Sequence, residues 1–161
     1  MIKVILKISL IVLFFTLTSC ERDDICIDPV TPKLIVRFYD KTDTSLLKSV
    51  DSLQVEIDSL GVFIPYSFSA STDSIVVPLR VDIDETKFRF IEKFGNTTDE
   101  KTDDFTINYQ REPVFVSRSC GYKVLFNNIT ISNLTNNWID SIAIKHQNIL
   151  NEKEAHLTIY H

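Results

Sequence analysis

Nine times between Leu34 and Ile159 apolar and polar residues alternate one by one, and no stretch of any length repeats at the 3.6-residue period of a helix. Leu34, Val36 and Phe38 share one face, as do Leu53, Val55 and Ile57. Ile75, Val77, Leu79, Val81 and Ile83 form the longest series. Phe88 and Phe90, then Phe105, Ile107 and Tyr109, then Val114 and Val116 continue the pattern. Tyr122, Val124 and Phe126, then Ile142 and Ile144, and finally Leu157 and Ile159 complete it. Period two with β-branched and aromatic residues is the signature of half-buried strands. The expected fold is all-β, a single antiparallel β-sandwich (immunoglobulin-like or similar) of about 7–9 strands.

Pro78 interrupts the longest series and has no N–H to give a ladder, so that strand is expected at an edge or at a bulge. Pro113 predicts a break between segments 105–111 and 114–118. The Asn- and Thr-rich stretch Asn127 to Trp138 reads as a strand plus a long connection, with Trp138 as a core plug where the next strand begins. Asp99-Glu100-Lys101-Thr102-Asp103-Asp104 follows Gly95-Asn96 and reads as a solvated loop. Its carboxylates could hold Ca²⁺, but the ligand order of a calcium-binding helix–loop–helix is missing.

The first nineteen residues have the three parts of an export signal. Lys3 and Lys7 are basic, Ile8 to Phe15 are apolar apart from Ser9, and Thr16 to Ser19 are small and polar. The apolar run is too short to span a bilayer. Leu17-Thr18-Ser19-Cys20 matches the bacterial lipobox, in which the cysteine is lipidated and the preceding peptide removed. The expected organisation is a signal peptide over 1–19, a lipidated Cys20 and tether over 20–32, and a sandwich domain over 33–161. Glu21 after the cysteine favours the outer membrane, facing the periplasm or the surface. The charged run Glu21-Arg22-Asp23-Asp24 resembles surface-export signals, and charged tethers also serve solubility alone.

Loss of Lys3 and Lys7 leaves 15 basic against 22 acidic side chains, a formal charge of −7. So acidic a chain is a poor partner for nucleic acid, which needs clustered Lys and Arg. Three glycines, Gly61, Gly95 and Gly121, are too few for a phosphate loop, a dinucleotide fingerprint or a nucleophile elbow. The three histidines, His146, His156 and His161, have no zinc-ligand spacing, and solvated strand ends are their expected place. No catalytic, cofactor or metal residue is expected, although paired carboxylates of a glycoside hydrolase would converge only in the fold.

With Cys20 lipidated, Cys26 and Cys120 remain, and an exported chain with an even count reads as disulfide-bonded. The alternative, a nucleophilic Cys120 served by His146 or His156, has no known signature around it. Asp51-Ser52, Asp58-Ser59, Asp73-Ser74 and Asp140-Ser141 are each followed by an aliphatic residue. The recurrence resembles the acceptor of flavobacterial-type O-glycosylation, which makes Ser52, Ser59, Ser74 and Ser141 candidate acceptors. Asp and Ser also punctuate turns that open strands.

Three segments, Cys20 to Cys26, Thr31 to Asp40 and Val114 to Tyr122, together resemble an uncharacterised lipoprotein family of flavobacteria and relatives, known only as a domain of unknown function. The resemblance covers essentially the whole mature chain and implies no activity. It strengthens the pairing of Cys26 with Cys120, which stand in the family's two cysteine segments. The functions expected are, in order, three. The first is a non-enzymatic module binding an envelope protein or glycan. The second is an accessory or assembly factor for an outer-membrane β-barrel, docked at the 75–83 edge. The third is a hydrolase of envelope polymers. Arg37, Arg111 and Arg118 could share a recognition surface.

Overall fold

The computed structural model describes residues 25–27 and 30–161. The leader expected over 1–19 and the lipid-bearing Cys20 lie outside the described residues. Among those described there is no helix. In chain order the strands are β1 (Leu34–Tyr39), β2 (Val50–Ser59), β3 (Val62–Thr72), β4 (Ser74–Val77) and β5 (Glu85–Glu92). β6 (Lys101–Ser117), β7 (Gly121–Ser132), β8 (Ser141–Ile144) and β9 (Leu157–Tyr160) follow. They form a four-stranded sheet in the order β4-β1-β9-β8 and a five-stranded sheet in the order β3-β2-β5-β6-β7.

Both sheets feed one apolar core. Val36, Phe38, Val77 and Ile159 enter it from the smaller sheet, and Val55, Phe88, Phe90, Phe105 and Ile107 from the larger. Each of these belongs to a series of period two, which is why one face of each strand is apolar. Phe38 and Phe90 meet between the sheets with ring centroids 6.4 Å apart, and Phe90 meets Phe105 edge-on at 5.0 Å. Trp138 is the core plug its position suggested. It packs against Phe38, and its indole N–H donates to the carbonyl of Phe90 at 3.2 Å.

Several expectations need correction. The pairing is not purely antiparallel, because β1 and β9 run parallel from Val36↔Leu157 to Tyr39↔Tyr160. Parallel neighbours need a long crossover, and here the chain between them supplies it. The series Ile75 to Ile83 gives only the four residues of β4. β4 does lie at a sheet edge, but the chain leaves the ladder at Pro78 and turns. Leu79 still reaches the core, Val81 is exposed, and Arg80 N–H donates to Thr86 Oγ1 at 2.9 Å. Pro113 breaks nothing: β6 is continuous for 17 residues. Pairing of β5 with β6 ends at Asn108, so among the described residues Pro113 has β7 as its one neighbouring strand and no third strand requires the missing donor.

β6 also begins at Lys101, which moves Thr102, Asp103 and Asp104 from the expected loop into the sheet. β3 had no counterpart in the alternation read from the sequence. Its hairpin with β2 closes through Leu60 (φ 57°) and Gly61 (φ 86°), two consecutive left-handed residues that match the twist of the flanking strands. The amide of Gly61 is taken by Asp58 Oδ1 at 2.8 Å.

Candidate interaction surface

β3 is the outer strand of the five-stranded sheet, paired on one side with β2 for almost its whole eleven residues. Along its other side, alternate N–H and C=O groups have no strand partner among the described residues. Pro65 stands within it at a register shift: Pro65 opposes Glu56 and Ser67 opposes Val55, leaving Tyr66 as the extra residue. A proline and a bulge are two features that keep edge strands from pairing indiscriminately. The side chains are unusually apolar for such a position. Val62 is 64% exposed, Ile64 51% and Phe68 56%, with Tyr66 and Leu60 also exposed.

The surroundings give this edge shape and charge. Ile57, Ile64 and Tyr66 face Arg80 and Asp82 across an open groove of about 390 Å³. On the outer face of the sheet, Phe68 meets Phe94 at 6.3 Å. Arg89 forks onto Asp104 at 2.8 and 2.9 Å and lies 4.0 Å over the ring of Phe63. The Asp104 hydrogen bonds hold the Arg89 guanidinium above its usual range. The edge carries apolar side chains that change face at the bulge, Ile64 and Tyr66 toward the groove and Phe68 on the outer face. With fixed charges beside them, they suit an extended partner segment better than a small polar substrate.

The buried polar groups are spent on structure. Asp103 is fully buried on the core side of β6. Its carboxylate accepts Thr135 Oγ1 at 2.9 Å and the amides of Asn137, Trp138 and Ile139 at 2.7–2.8 Å. One side chain thereby fastens the whole connection between β7 and β8. Tyr109 donates its hydroxyl to the carbonyl of Arg80 at 2.8 Å and lies 2.6 Å from Thr86 Oγ1; burial pushes its phenol up to about 12. His156 and His161 are buried rather than solvated. Nδ1 of His156 accepts the amide of Ile35 at 3.0 Å, and its Nε2 donates to the carbonyl of Asn151 at 2.9 Å. Nε2 of His161 lies 3.2 Å from the carbonyl of Lys48. Burial is the main reason that both imidazoles sit below their usual range.

The model of a family of unknown function, DUF6452, matches residues 49–161. The chain belongs to DUF6452. No curated protein and no solved structure matches it. The matched span of the DUF6452 domain contains β2 to β9 but neither β1 nor Cys26. Yet β1 is an inner strand, lying between β4 and β9.

Within the DUF6452 domain the residues singled out from the sequence scatter. Cys20 lies outside the described residues. Cys26 and Cys120 are joined in a disulfide, which removes Cys120 as a free nucleophile. Ser59 lies exposed beside the β2–β3 turn and Ser141 exposed at the start of β8, while Ser52 and Ser74 are half-buried within strands. His146 is exposed and pairs with Glu154 at 3.0 Å. Among the described residues no three His, Cys, Asp or Glu side chains group as metal ligands. The three arginines occupy separate places. Arg37 projects from β1, Arg111 bonds Asp84 and the carbonyl of Val81, and Arg118 stands in the β6–β7 turn. The β3 edge escaped the sequence reading, although Val62, Ile64, Tyr66 and Phe68 alternate there.

Proposed function

We propose that this DUF6452 chain is a lipid-anchored, non-enzymatic interaction module of the outer membrane. In this reading the two sheets make an immunoglobulin-like β-sandwich, held to the bilayer through Cys20 after removal of residues 1–19. Its β3 edge receives an extended segment of an envelope protein. The observation that supports it is the eleven-residue edge, without a strand partner on its outer side among the described residues, carrying exposed Val62, Ile64, Tyr66 and Phe68. The edge offers a row of unpaired backbone groups flanked by these side chains, which an extended protein segment can match bond for bond. Main-chain bonds would supply affinity, and alternate side chains would supply selection.

The test is site-specific photo-crosslinking from position 62 in native envelopes, beside a chain carrying Ile64→Lys and Phe68→Lys. A discrete crosslinked protein band that vanishes in the double variant is the expected result. Absence of any band from an exported and folded chain would reject the reading.

A second reading follows from the same edge: a factor that shields or delivers a strand of an outer-membrane β-barrel. The sequence placed its docking site at the 75–83 edge, where only four residues form β4; β3 is the longer edge. Deleting the gene and finding barrel proteins at normal levels would exclude it.

A further inference from the structure

We infer that the end of the β6–β7 hairpin is a second membrane contact, with Phe115 and Tyr122 seated in the headgroup region of an anionic bilayer. This rests on the lipid anchoring at Cys20 proposed above.

The hairpin outreaches the rest of its sheet. Ile57, Phe88 and Phe105 stand at one level across β2, β5 and β6. From that level β2 ends at Ser59, whereas β6 continues to Ser117. The ten-residue difference corresponds to roughly 30 Å of strand. The last buried positions on the two arms are Tyr109 and Phe126; Val124, opposite Pro113, still packs against the core, and Phe115 and Tyr122 lie beyond it toward the turn. Phe115 and Tyr122 pair across it, their rings edge-on at 5.4 Å, and remain 56% and 71% exposed. An aromatic pair held outside a core, without a described neighbour to cover it, has the composition of the belts found at membrane–water boundaries.

The bilayer is brought to this place by covalent geometry. The disulfide ties Cys26 to Cys120 at the hairpin turn. Between Cys20 and Cys26 lie six residue steps, which span at most about 21 Å when fully extended. With the 4.9 Å between the Cα atoms of Cys26 and Cys120 added, an acylated Cys20 keeps the hairpin turn within about 26 Å of the lipid surface. The tether itself runs back along the hairpin, where Thr31 Oγ1 accepts the amide of Val124 at 3.0 Å. Ile25, Ile27 and Val30 are exposed on it.

Charge points the same way. From Pro113 to Phe126 the chain has Arg118 and Lys123 and no acid, although the whole chain has 22 acids. A locally cationic tip on an acidic protein is attracted to anionic headgroups while the rest of the surface is repelled. The four acids of the tether, Glu21, Asp23, Asp24 and Asp28, oppose that attraction, so the seating of the hairpin rests chiefly on its aromatic pair.

The test uses the full lipidated chain carrying Tyr122→Trp. It is reconstituted in vesicles of phosphatidylethanolamine and phosphatidylglycerol, with and without lipids brominated near the headgroup end of their acyl chains. The unsubstituted chain, whose Trp138 is buried, provides the baseline. Blue-shifted emission quenched by bromine in the variant, over an unquenched baseline, is the expected result. If the chain does not float with the vesicles, the anchoring reading fails and this inference with it. If it floats and the added emission is not quenched, the hairpin contact alone is wrong.

Discussion

The carboxylate of Asp103 accepts the backbone N–H of Trp138 at 2.8 Å across 35 residues of sequence, with both residues buried. The same carboxylate also takes Thr135, Asn137 and Ile139, so its removal strands several donors away from water. Asp103→Ala should cost about 3–5 kcal/mol of stability, and Asp103→Asn less, since one amide oxygen still accepts. Urea unfolding followed by Trp138 emission measures this. A loss below about 1 kcal/mol for the alanine variant would mean that the connection holds without its acceptor.

Acid should weaken the fold in two stages. His156 and His161 are held below their ordinary value of 6.5, chiefly by burial. As pH falls through 6.5 the unfolded chain takes up protons that the folded chain refuses. Stability is therefore level above about pH 7 and declines below 6.5, by at most ~1.4 kcal/mol per pH unit for each histidine. Asp43, Asp82 and Asp84 have lowered values, each chiefly through a side-chain hydrogen bond, to Ser45, Arg80 and Arg111 respectively. Their contribution is present above the ordinary carboxylate value and is lost at lower pH. Urea midpoints that stay constant between about pH 7 and pH 5.5 would contradict the histidine stage.

Closing 94 residues of chain with the Cys26–Cys120 bond restricts the unfolded state far more than the folded one. Cys26→Ser with Cys120→Ser should retain the native circular dichroism and lose about 2–4 kcal/mol. Thiol titration of the unsubstituted oxidised chain should find neither Cys26 nor Cys120 free, before or after unfolding in urea.

Of the four Asp-Ser sites, Ser59 and Ser141 present exposed hydroxyl-bearing residues, and Ser52 and Ser74 are half-buried in strands. If the native protein carries glycan, intact mass should fall on Ser59→Ala or Ser141→Ala and be unchanged by Ser52→Ala or Ser74→Ala. A native mass equal to that of the bare lipidated chain removes glycosylation altogether.

The alternation of Leu34, Val36 and Phe38, or of Phe88 and Phe90, is legible because one strand face meets the core and the other meets water. β3 inverts that rule. Past its bulge, Ser67 and Ser69 stand opposite the core residues Val55 and Leu53, while Phe68 stands opposite Gln54. Burial of Asp103 was also written in the period, since it shares parity with Phe105, Ile107 and Tyr109. What the period could not supply was its donors, which arrive from a connection more than thirty residues on. His156 has the parity of Thr158 and Tyr160, and its burial comes from the preceding Asn151 segment folding onto its ring. Membership of DUF6452 covers the second strand onward and does not itself indicate which surface is used.

That boundary has a practical side. A polypeptide begun at residue 49 would omit the strip from Leu34 to Tyr39 and leave β4 and β9 facing a gap the width of one strand. Val36 and Phe38 would be missing from the interior, and the last four-residue strand would lose its inner neighbour. A piece of this protein that keeps its core closed is therefore longer than its sequence signature, because it must include β1 from Leu34 onward.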